Sequence, residues 1–571
     1  MSILKREIRK RTLMGELLSD RLKSLLAAAA EEARKSGDLS YSAVPSVRIE
    51  RPSNRSHGDF STNFAFVIAK EAKLPPARIA EALVRRLAGR GGEVYDRVEV
   101  AGPGFVNFFI SPSALYRGLS TILEQGEEYA RFKVGEGKTV QVEFVSANPT
   151  GPLTVGHGRQ AAIGDTIANL LERVGYAVTR EYYYNDAGNQ MKVLAVSVKK
   201  RYLQLLGEEI DFGEDLYQGE YIVDIAGALR ERCGDSLRAE KDLKRFQEIA
   251  EESIFSGIKK TLASMGIRFD VYYNENSLFE SGKVARVVDL LRKAGCVYER
   301  DGAVWFQATR FGRSKDRVII KKTGEATYRL PDIAYHRDKL DRGFDIVIDV
   351  FGADHHGTFP DVLAGVEALG CDKSKIVVLI HQFVTLVRDG RQVKMSTRKA
   401  QFVTLEELLG EVGRDVARYF FLMRKMGSHL DFDLGVARKQ SLDNPVYYLQ
   451  YAHARICSIQ KKYGERYGLL DRGRLLEVDL RRLTKEEELE IIKDLMRFEE
   501  TVKSAAALFE PHRLCVYLEE LAAGFHSYYN KHRVMIEDKG LREARLAMAR
   551  AVQIVLKIGL GLLGVSVPES M

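Results

Sequence analysis

The stretch KTVQVEFVSANPTGPLTVGHGRQAAIGDTIANLLERVGYAVTREYYYND, Lys138 to Asp186, decides how this chain folds. In KTVQVEFV, valines and Phe144 alternate with polar residues, the two-residue period of a strand. Asn148-Pro149-Thr150 and the glycines around it break the run, and GRQAAIGDTIANLLERVGY then reads as an amphipathic helix. AVTREYYYND supplies another strand. Strand, loop, helix and strand make a βαβ unit, which implies parallel pairing and a right-handed crossover. Strand-like runs recur at FDIVIDVFGADHHG (344–357) and KIVVLIHQFVTLV (375–387). The middle of the chain is therefore expected to be a doubly wound, Rossmann-like α/β sheet, with ligands gathered at the carboxyl ends of its strands.

On either side the pattern changes. Before it, LLSDRLKSLLAAAAEEARKS and PPARIAEALVRRLAG carry helical spacing, and VEVAGPGFVNFFI supplies two short strands around a Gly-Pro-Gly turn. That predicts a separate α+β module over residues 1–125. RPSNRSHGDFSTNFAF (51–66) reads as a loop with a buried helix start, or as a surface that meets phosphates and bases. Residues 126–436 form the expected α/β domain with inserted segments. From 437 to 571 strand signals nearly vanish and an all-α domain is expected. In its last helical run Leu541, Ala544, Met548, Ala551, Val552 and Val555 make one apolar stripe, with Arg542, Arg545 and Arg550 projecting elsewhere.

The chain has 571 residues, 45% hydrophobic and 29% charged, with no low-complexity tract, which is the composition of a soluble multidomain protein of roughly three or four domains. Its net charge of +8 suits a polyanionic partner and equally a slightly basic enzyme. Five cysteines, at 233, 296, 371, 457 and 515, form no C-x-x-C pair, so a reducing compartment is expected and a cysteine zinc site is not. The most apolar run, IVLKIGLGLLGVSV, is interrupted by Lys557 and too short to span a bilayer. The basic start MSILKREIRKRTL lacks an apolar signal core, and a cytoplasmic location is expected.

Two decoys fall away. GEGKT (135–139) ends like a phosphate-binding P-loop, but Phe132 stands where that loop needs its first glycine, and the segment leads into a strand rather than a helix. The dinucleotide G-x-G-x-x-G pattern is absent from the turn after residue 144. What remains there is a helix start with unpaired N–H groups suited to phosphate, a Gly156 that lets a flat base approach and a His157 that can donate. Far along the chain, RDGRQVKMSTRKAQ (388–401) is a basic, glycine-containing loop after a strand.

Together the two segments resemble the two-part signature of class I aminoacyl-tRNA synthetases, ANPTGPLTVGH standing for the "HIGH" motif and KMST for the "KMSK" loop. The chain resembles the arginyl-tRNA synthetases over nearly its whole length. The match is carried by GDFSTNFAF, AGPGFVNF, EFVSANPTGPLTVGHGR, YYYNDAGNQM, YQGEYIVDIA, TYRLPDIAYH, GADHHGTFP, KMSTR and LDFDLGVARKQSLDNPVYYLQYAHARI, all in order. The resemblance implies a class I catalytic domain between a tRNA-contacting N-terminal domain and a helical anticodon-binding domain.

It also implies the reaction: ATP, expected with Mg²⁺, activates arginine to arginyl-adenylate, and the terminal adenosine of tRNA(Arg) takes the arginyl group. By resemblance, Thr154, Gly156, His157, Gly352, His356, Lys394, Met395 and Ser396 meet ATP. Asn148, Glu275, Tyr328, Asp332 and His355 meet arginine, although His355 and His356 can exchange these parts. His157, Lys394 and Arg398 are the implied catalytic groups, and no residue is assigned to a protein-held metal. Two departures matter: Thr154 replaces the first histidine of "HIGH", and Thr397 replaces the second lysine of "KMSK". Some relatives lacking that lysine carry one before "HIGH", where this chain has Gly151, so the transition-state cation falls to Lys394, Arg398 or Lys399. A monomer is implied. The competing readings are a synthetase for another amino acid, such as cysteine, whose zinc ligands are missing here, and an inactive RNA-binding copy.

Overall fold

A computed structural model describes residues 18–571 except 53, 389 and 394–402. The first module contains helix α1 (Leu18–Lys35), strand β1 (Phe60–Thr62), helices α2 (Phe64–Ala72) and α3 (Pro76–Leu87), strands β2 (Tyr95–Ala101) and β3 (Phe105–Ile110), and helix α4 (Pro112–Gln125). Its three strands form an antiparallel sheet in the order β1-β3-β2. The stretch 51–66, read as loop and helix start, therefore also contributes an outer strand of this sheet: Phe60 and Thr62 are buried beside β3. Pro76 opens α3, where its missing N–H costs no helix bond.

The α/β unit follows as β4 (Thr139–Glu143), α5 (Val155–Arg173), β5 (Ala177–Tyr184), α6 (Asn189–Leu205), α7 (Glu220–Cys233), α8 (Lys244–Ser264) and β6 (Val271–Asn274). Then come α9 (Asn276–Glu280), α10 (Lys283–Lys293), a small sheet of β7 (Val297–Arg300), β8 (Ala303–Phe306) and β9 (Arg317–Ile320), and α11 (Arg329–Asp341). The unit closes with β10 (Ile346–Gly352), α12 (Phe359–Ala368) and β11 (Ile376–His381). The five long-range strands are all parallel, ordered β11-β10-β4-β5-β6. On one face Val140, Val142, Ile348 and Val350 join the main core with α5; on the other, Val347 packs with Phe359 and Val366 of α12.

Helix α5 lies unusually close to its neighbours. A Cβ on Gly164 would come within 2.2 Å of Phe144, and one on Gly158 within 2.5 Å of Leu405, so both glycines are set by contact. The run 375–387 is two strands, not one. It breaks at Gln382-Phe383, and β12 (Val384–Arg388) joins a separate sheet, β13-β12-β14, with β13 (Arg391–Gln392) and β14 (Leu430–Asp433). Helices α13 (Leu405–Val412), α14 (Arg414–Leu422) and α15 (Leu434–Ala437) surround that sheet.

The last part is helical: α16 (Pro445–Tyr467), α17 (Arg472–Leu476), α18 (Glu486–Leu508), α19 (His512–Lys531) and α20 (Lys539–Leu562). Helix α20 is buried on almost every side, which corrects the expectation for its arginines. Arg542 and Arg545 do not project into solvent: Arg542 donates to the Ile536 and Glu537 carbonyls, and Arg545 to Glu488 and the Arg533 carbonyl. Tyr528 is likewise core, donating to Glu488. Buried Arg418 of α14 donates to Leu563 O, Met265 O and Asp165 of α5, locking the end of α20 onto the α/β unit. Among the described residues no helix is long and apolar enough to cross a membrane, and all five cysteines are free thiols.

Candidate active site

The turn after β4 is strained and heavily scaffolded. Val145 and Ser146 adopt φ of 68° and 45°, a left-handed conformation that a β-branched residue such as valine resists. The neighbouring strand end holds it in place. Ser146 donates to Glu143 and accepts the Tyr183 N–H, and the Tyr182 hydroxyl donates to Ala147 O at 2.7 Å. Asn148 accepts the Asn185 N–H at 3.0 Å, and Tyr221 from α7 donates to Thr150 O at 2.8 Å. The YYYND and YQGEY segments thus serve as the frame that keeps Asn148 exposed at the strand ends.

Past the turn, Thr154 stands at the N-terminus of α5 and its backbone N–H donates to His157 Nδ1 at 3.1 Å. Accepting there leaves Nε2 as the protonated, donating nitrogen. Burial pushes the His157 pKa down to about 4, against the pull of Asp354, so the ring is neutral at physiological pH. A Cβ on Gly156 would meet only Thr154 Oγ1, at 3.7 Å. Across the sheet, Gly352 ends β10 and pairs in register with His381 at the end of β11. His381 is buried, its pKa is pushed by burial to about 4, its Nδ1 donates to Gln382 O at 3.2 Å, and its Nε2 has no hydrogen-bond partner among the described residues. His355 is exposed and stacks on Phe351 at 5.0 Å; His356 is exposed beside it.

Arg159, two residues after His157, is fully buried, with no carboxylate partner among the described residues. It donates to the carbonyls of Gln382 (2.7 Å), Ser428 (3.0 Å) and Lys425 (3.2 Å). Thr154 also bridges Thr404, and Leu405 N–H donates to Leu153 O. The helix start is therefore tied to both flanks of the basic loop.

Two carboxylates complete the site. Glu275, the first residue after β6, is buried and accepts from Tyr183 Oη at 2.7 Å and Asn185 Nδ2 at 2.6 Å. Burial raises its pKa, and Tyr183 offsets only part of that. Asp332 lies in the first turn of α11, close enough to Glu275 to feel its charge. Burial, reinforced by Glu275 and Glu143 and opposed by His336 and Lys339, raises its pKa to about 7.

Helix α11 is bolted to the sheet beneath it. Asp349, Glu143 and Glu181 stand in register on β10, β4 and β5. Lys339, itself unexposed, donates to Glu143 and Asp349; Tyr335 and Arg342 donate to Glu181. His336 pairs with Asp349 at 3.1 Å and lies 2.7 Å from the Asp332 carbonyl. Three acids in a row would repel without these partners. With them, they fix the rotation and height of the helix that carries Asp332.

Three family models match the chain in order. Residues 20–110 match the arginyl tRNA synthetase N-terminal domain, 118–425 the class I tRNA synthetase (R) catalytic domain, and 449–571 the DALR anticodon binding domain. A protein of Desulfotalea psychrophila named arginine–tRNA ligase is 52% identical over 97% of this chain and 100% of its own length. The chain belongs to the arginyl-tRNA synthetase family. A second arginine–tRNA ligase, from Syntrophotalea carbinolica, is 48% identical over the same shares. Among solved structures, a putative arginyl-tRNA synthetase of Campylobacter jejuni superposes with a TM-score of 0.75 at 31% identity, over 81% of this chain and all of its own. The arginyl-tRNA synthetase of Thermus thermophilus gives 0.74 over 97% and 100%; at 24% identity it speaks for the fold. The three-part architecture is that of this synthetase family.

Within this synthetase frame the structure brings Asn148, Thr154, Gly156, His157, Glu275, Asp332 and Gly352 to one rim, at the carboxyl ends of the parallel strands. Tyr328 is not drawn in: it precedes α11 with 80% of its surface exposed. Lys394, Met395, Ser396, Arg398 and Lys399 lie outside the described residues. Sequence reasoning missed Tyr183, Asn185, Tyr335, Arg159 and His381. The run of three tyrosines at 182–184 was a usable signal for the first, since so many hydroxyls on one strand end need partners.

Proposed function

We propose that the rim between Asn148, His157, Glu275 and Asp332 is where arginine and ATP meet. The chain is an arginine–tRNA ligase of class I: it activates arginine with ATP, releasing pyrophosphate, and transfers the arginyl group to tRNA(Arg). The observation that carries the assignment of the amino acid is the pair Glu275 and Asp332. A buried glutamate after β6 and a half-buried aspartate in the first turn of α11, both with raised pKa values, form a poor resting arrangement and a good guanidinium receptor, because a planar cation pairs with both.

In this reading Asn148 holds the amino-acid end of the substrate, and its exposed amide supports that. The arginine carboxylate attacks the α-phosphate, so no side chain needs to form a covalent bond, and the protein contributes alignment and charge. His157 donates through Nε2 as a neutral ring, and the α5 N-terminus adds free N–H groups. His381 donates from Nδ1 to the Gln382 carbonyl, so its Nε2 beside Gly352 is an acceptor for an amino or hydroxyl group of the nucleotide. His356 keeps its part toward ATP and His355 its part toward arginine, and Lys394, Met395, Ser396 and Arg398 keep the roles implied by resemblance. Tyr328 reaches arginine by a rotation of its exposed side chain. ATP arrives as its Mg²⁺ complex, the ion being part of the substrate; among the described residues no group of three potential protein ligands gathers to hold one. The enzyme acts as a monomer in the cytoplasm, with domains over 1–125, 126–436 and 437–571.

ATP–pyrophosphate exchange dependent on arginine, measured with and without tRNA(Arg), tests the whole reading. Exchange is expected with tRNA(Arg) and arginine and not with other amino acids. Binding of tRNA without exchange or charging would instead point to an inactive RNA-binding copy.

A further inference from the structure

Outside the residues assigned so far, one cluster is built in an unusual way. Asp361, in the first turn of α12 and only 1% exposed, receives three arginines from three different elements. Arg313, ahead of β9, donates to Oδ1 at 2.8 Å. Arg317 of β9 donates to Oδ2 at 2.6 Å, and Arg329, the first residue of α11, donates to Oδ2 at 3.0 Å. In all three the bonded atom is Nε. Among the described residues the terminal nitrogens of all three guanidiniums have no hydrogen-bond partner, and the side chains are 27%, 14% and 29% exposed.

One carboxylate cannot balance three cations, so two positive charges are left over. A fold that needed only an ion pair to tie β9 to α12 would be served by one arginine. Here the shared Nε anchor fixes the planes of three guanidiniums and leaves their outer edges bare, which is the edge that forks onto a phosphate. Burial works to raise the Asp361 pKa, but the three arginines together hold it below the ordinary carboxylate value, so the anchor stays charged.

The position narrows the ligand. Arg329 is three residues before Asp332 on α11, about one helical turn or 5 Å along the axis, so the cluster borders the arginine end of the rim. It lies on the α11–α12 face of the sheet, whereas His157 and the N-terminus of α5 belong to the opposite face. We propose that Arg313, Arg317 and Arg329, held by Asp361, form a cradle for backbone phosphates of the single-stranded 3′ end of tRNA. The strand must deliver its last ribose to the activated arginine, and its trailing phosphates then cross this rim. The proposal rests on the ligase assignment; phosphate on ATP or pyrophosphate is the other source of the same chemistry.

The test uses Arg313→Lys and Arg317→Lys in the full-length enzyme. Lysine keeps the ion pair with Asp361, and with it the tie between the elements, but its single ammonium is spent there. Binding is measured for tRNA(Arg) and for the same RNA lacking its four 3′-terminal nucleotides, over a salt series. The expected result is a loss of about fivefold in affinity for intact tRNA per substitution, and a fall of about 0.7 in the log–log salt slope for each phosphate contact removed. Affinity for the shortened RNA and the melting temperature stay at wild-type values. Equal losses on both RNAs, wild-type binding of intact tRNA by the lysine variants, or a raised KM for ATP with unchanged tRNA affinity would each overturn the cradle. Failure of the wild-type enzyme to charge tRNA(Arg) would sink the ligase assignment instead, in a separate assay.

Discussion

Arginine binding should release a proton, and the acid responsible is Asp332. In the ligand-free protein its pKa is about 7, raised first by burial and then by Glu275 and Glu143. Only the ionised form pairs with a guanidinium. With that pKa the ionised fraction is about 0.9 at pH 8 and about 0.1 at pH 6, so the apparent Kd for arginine should rise roughly tenfold over that interval, or ~1.3 kcal/mol. Burial keeps His157 and His381 near 4, so these two do not titrate in this window. Calorimetric titration at pH 7 in two buffers of different ionisation enthalpy should report release of about half a proton per arginine bound. Asp332→Asn should flatten the pH profile and weaken arginine binding at pH 8 by about ten- to a hundredfold, the scale of a lost hydrogen bond to a charged group. The same acid acts on stability. Its folded pKa lies above the unfolded value, so its contribution is full below about pH 4 and is lost as pH rises through about 7; the asparagine variant without ligand should escape that decline. A Kd for arginine that is constant from pH 6 to 8, with no buffer dependence of the heat, would refute the reasoning.

Further outcomes follow from the groups that position the site. Lys339→Met should cost about 3–5 kcal/mol, because Glu143 and Asp349 are left buried without their cation. Denaturant unfolding of variant and parent at pH 8 and pH 5 should show the deficit shrinking at the lower pH, where the orphaned acids take up protons; a deficit that grows would contradict the ion-pair account. Arg159→Leu removes three hydrogen bonds that tie the start of α5 to the carbonyls of Gln382, Ser428 and Lys425. It should lower thermal stability by about 3 kcal/mol or more and reduce the exchange rate, whereas an unchanged exchange rate in a folded variant would free the helix start from that tether. Arg398→Ala should slow adenylate formation at least about tenfold in single-turnover measurements, as expected for a lost phosphate-stabilising group.

Much of this was legible in the chain itself. The alternation of KTVQVEFV and the helical period after Val155 fix a βαβ unit because strand and helix bury side chains at different spacings. The order of motifs then identifies the family. Strand partnership was less legible: KIVVLIHQFVTLV reads as one apolar run, and only packing shows that it turns from one sheet into another at Gln382. The helical period of α20 likewise marked its apolar stripe but not the depth of Arg542 and Arg545, since a helix enclosed by others buries its polar positions too once each finds a carbonyl or an acid.

The sequence by itself determined the kind of fold and the reaction, because both are written in local spacing and in motifs whose residues are neighbours in the chain. Tertiary structure alone decided the electrostatics. Asp349, Glu143 and Glu181 come from three separate strands and meet Lys339 only when those strands align in register. Asp332 becomes proton-sensitive only when burial and the charges of Glu275 and Glu143 act together, and three arginines become a cradle only around one buried aspartate. A pKa or a charge cluster depends on distances through space and on exclusion of water, and neither is recorded in the order of residues along a chain.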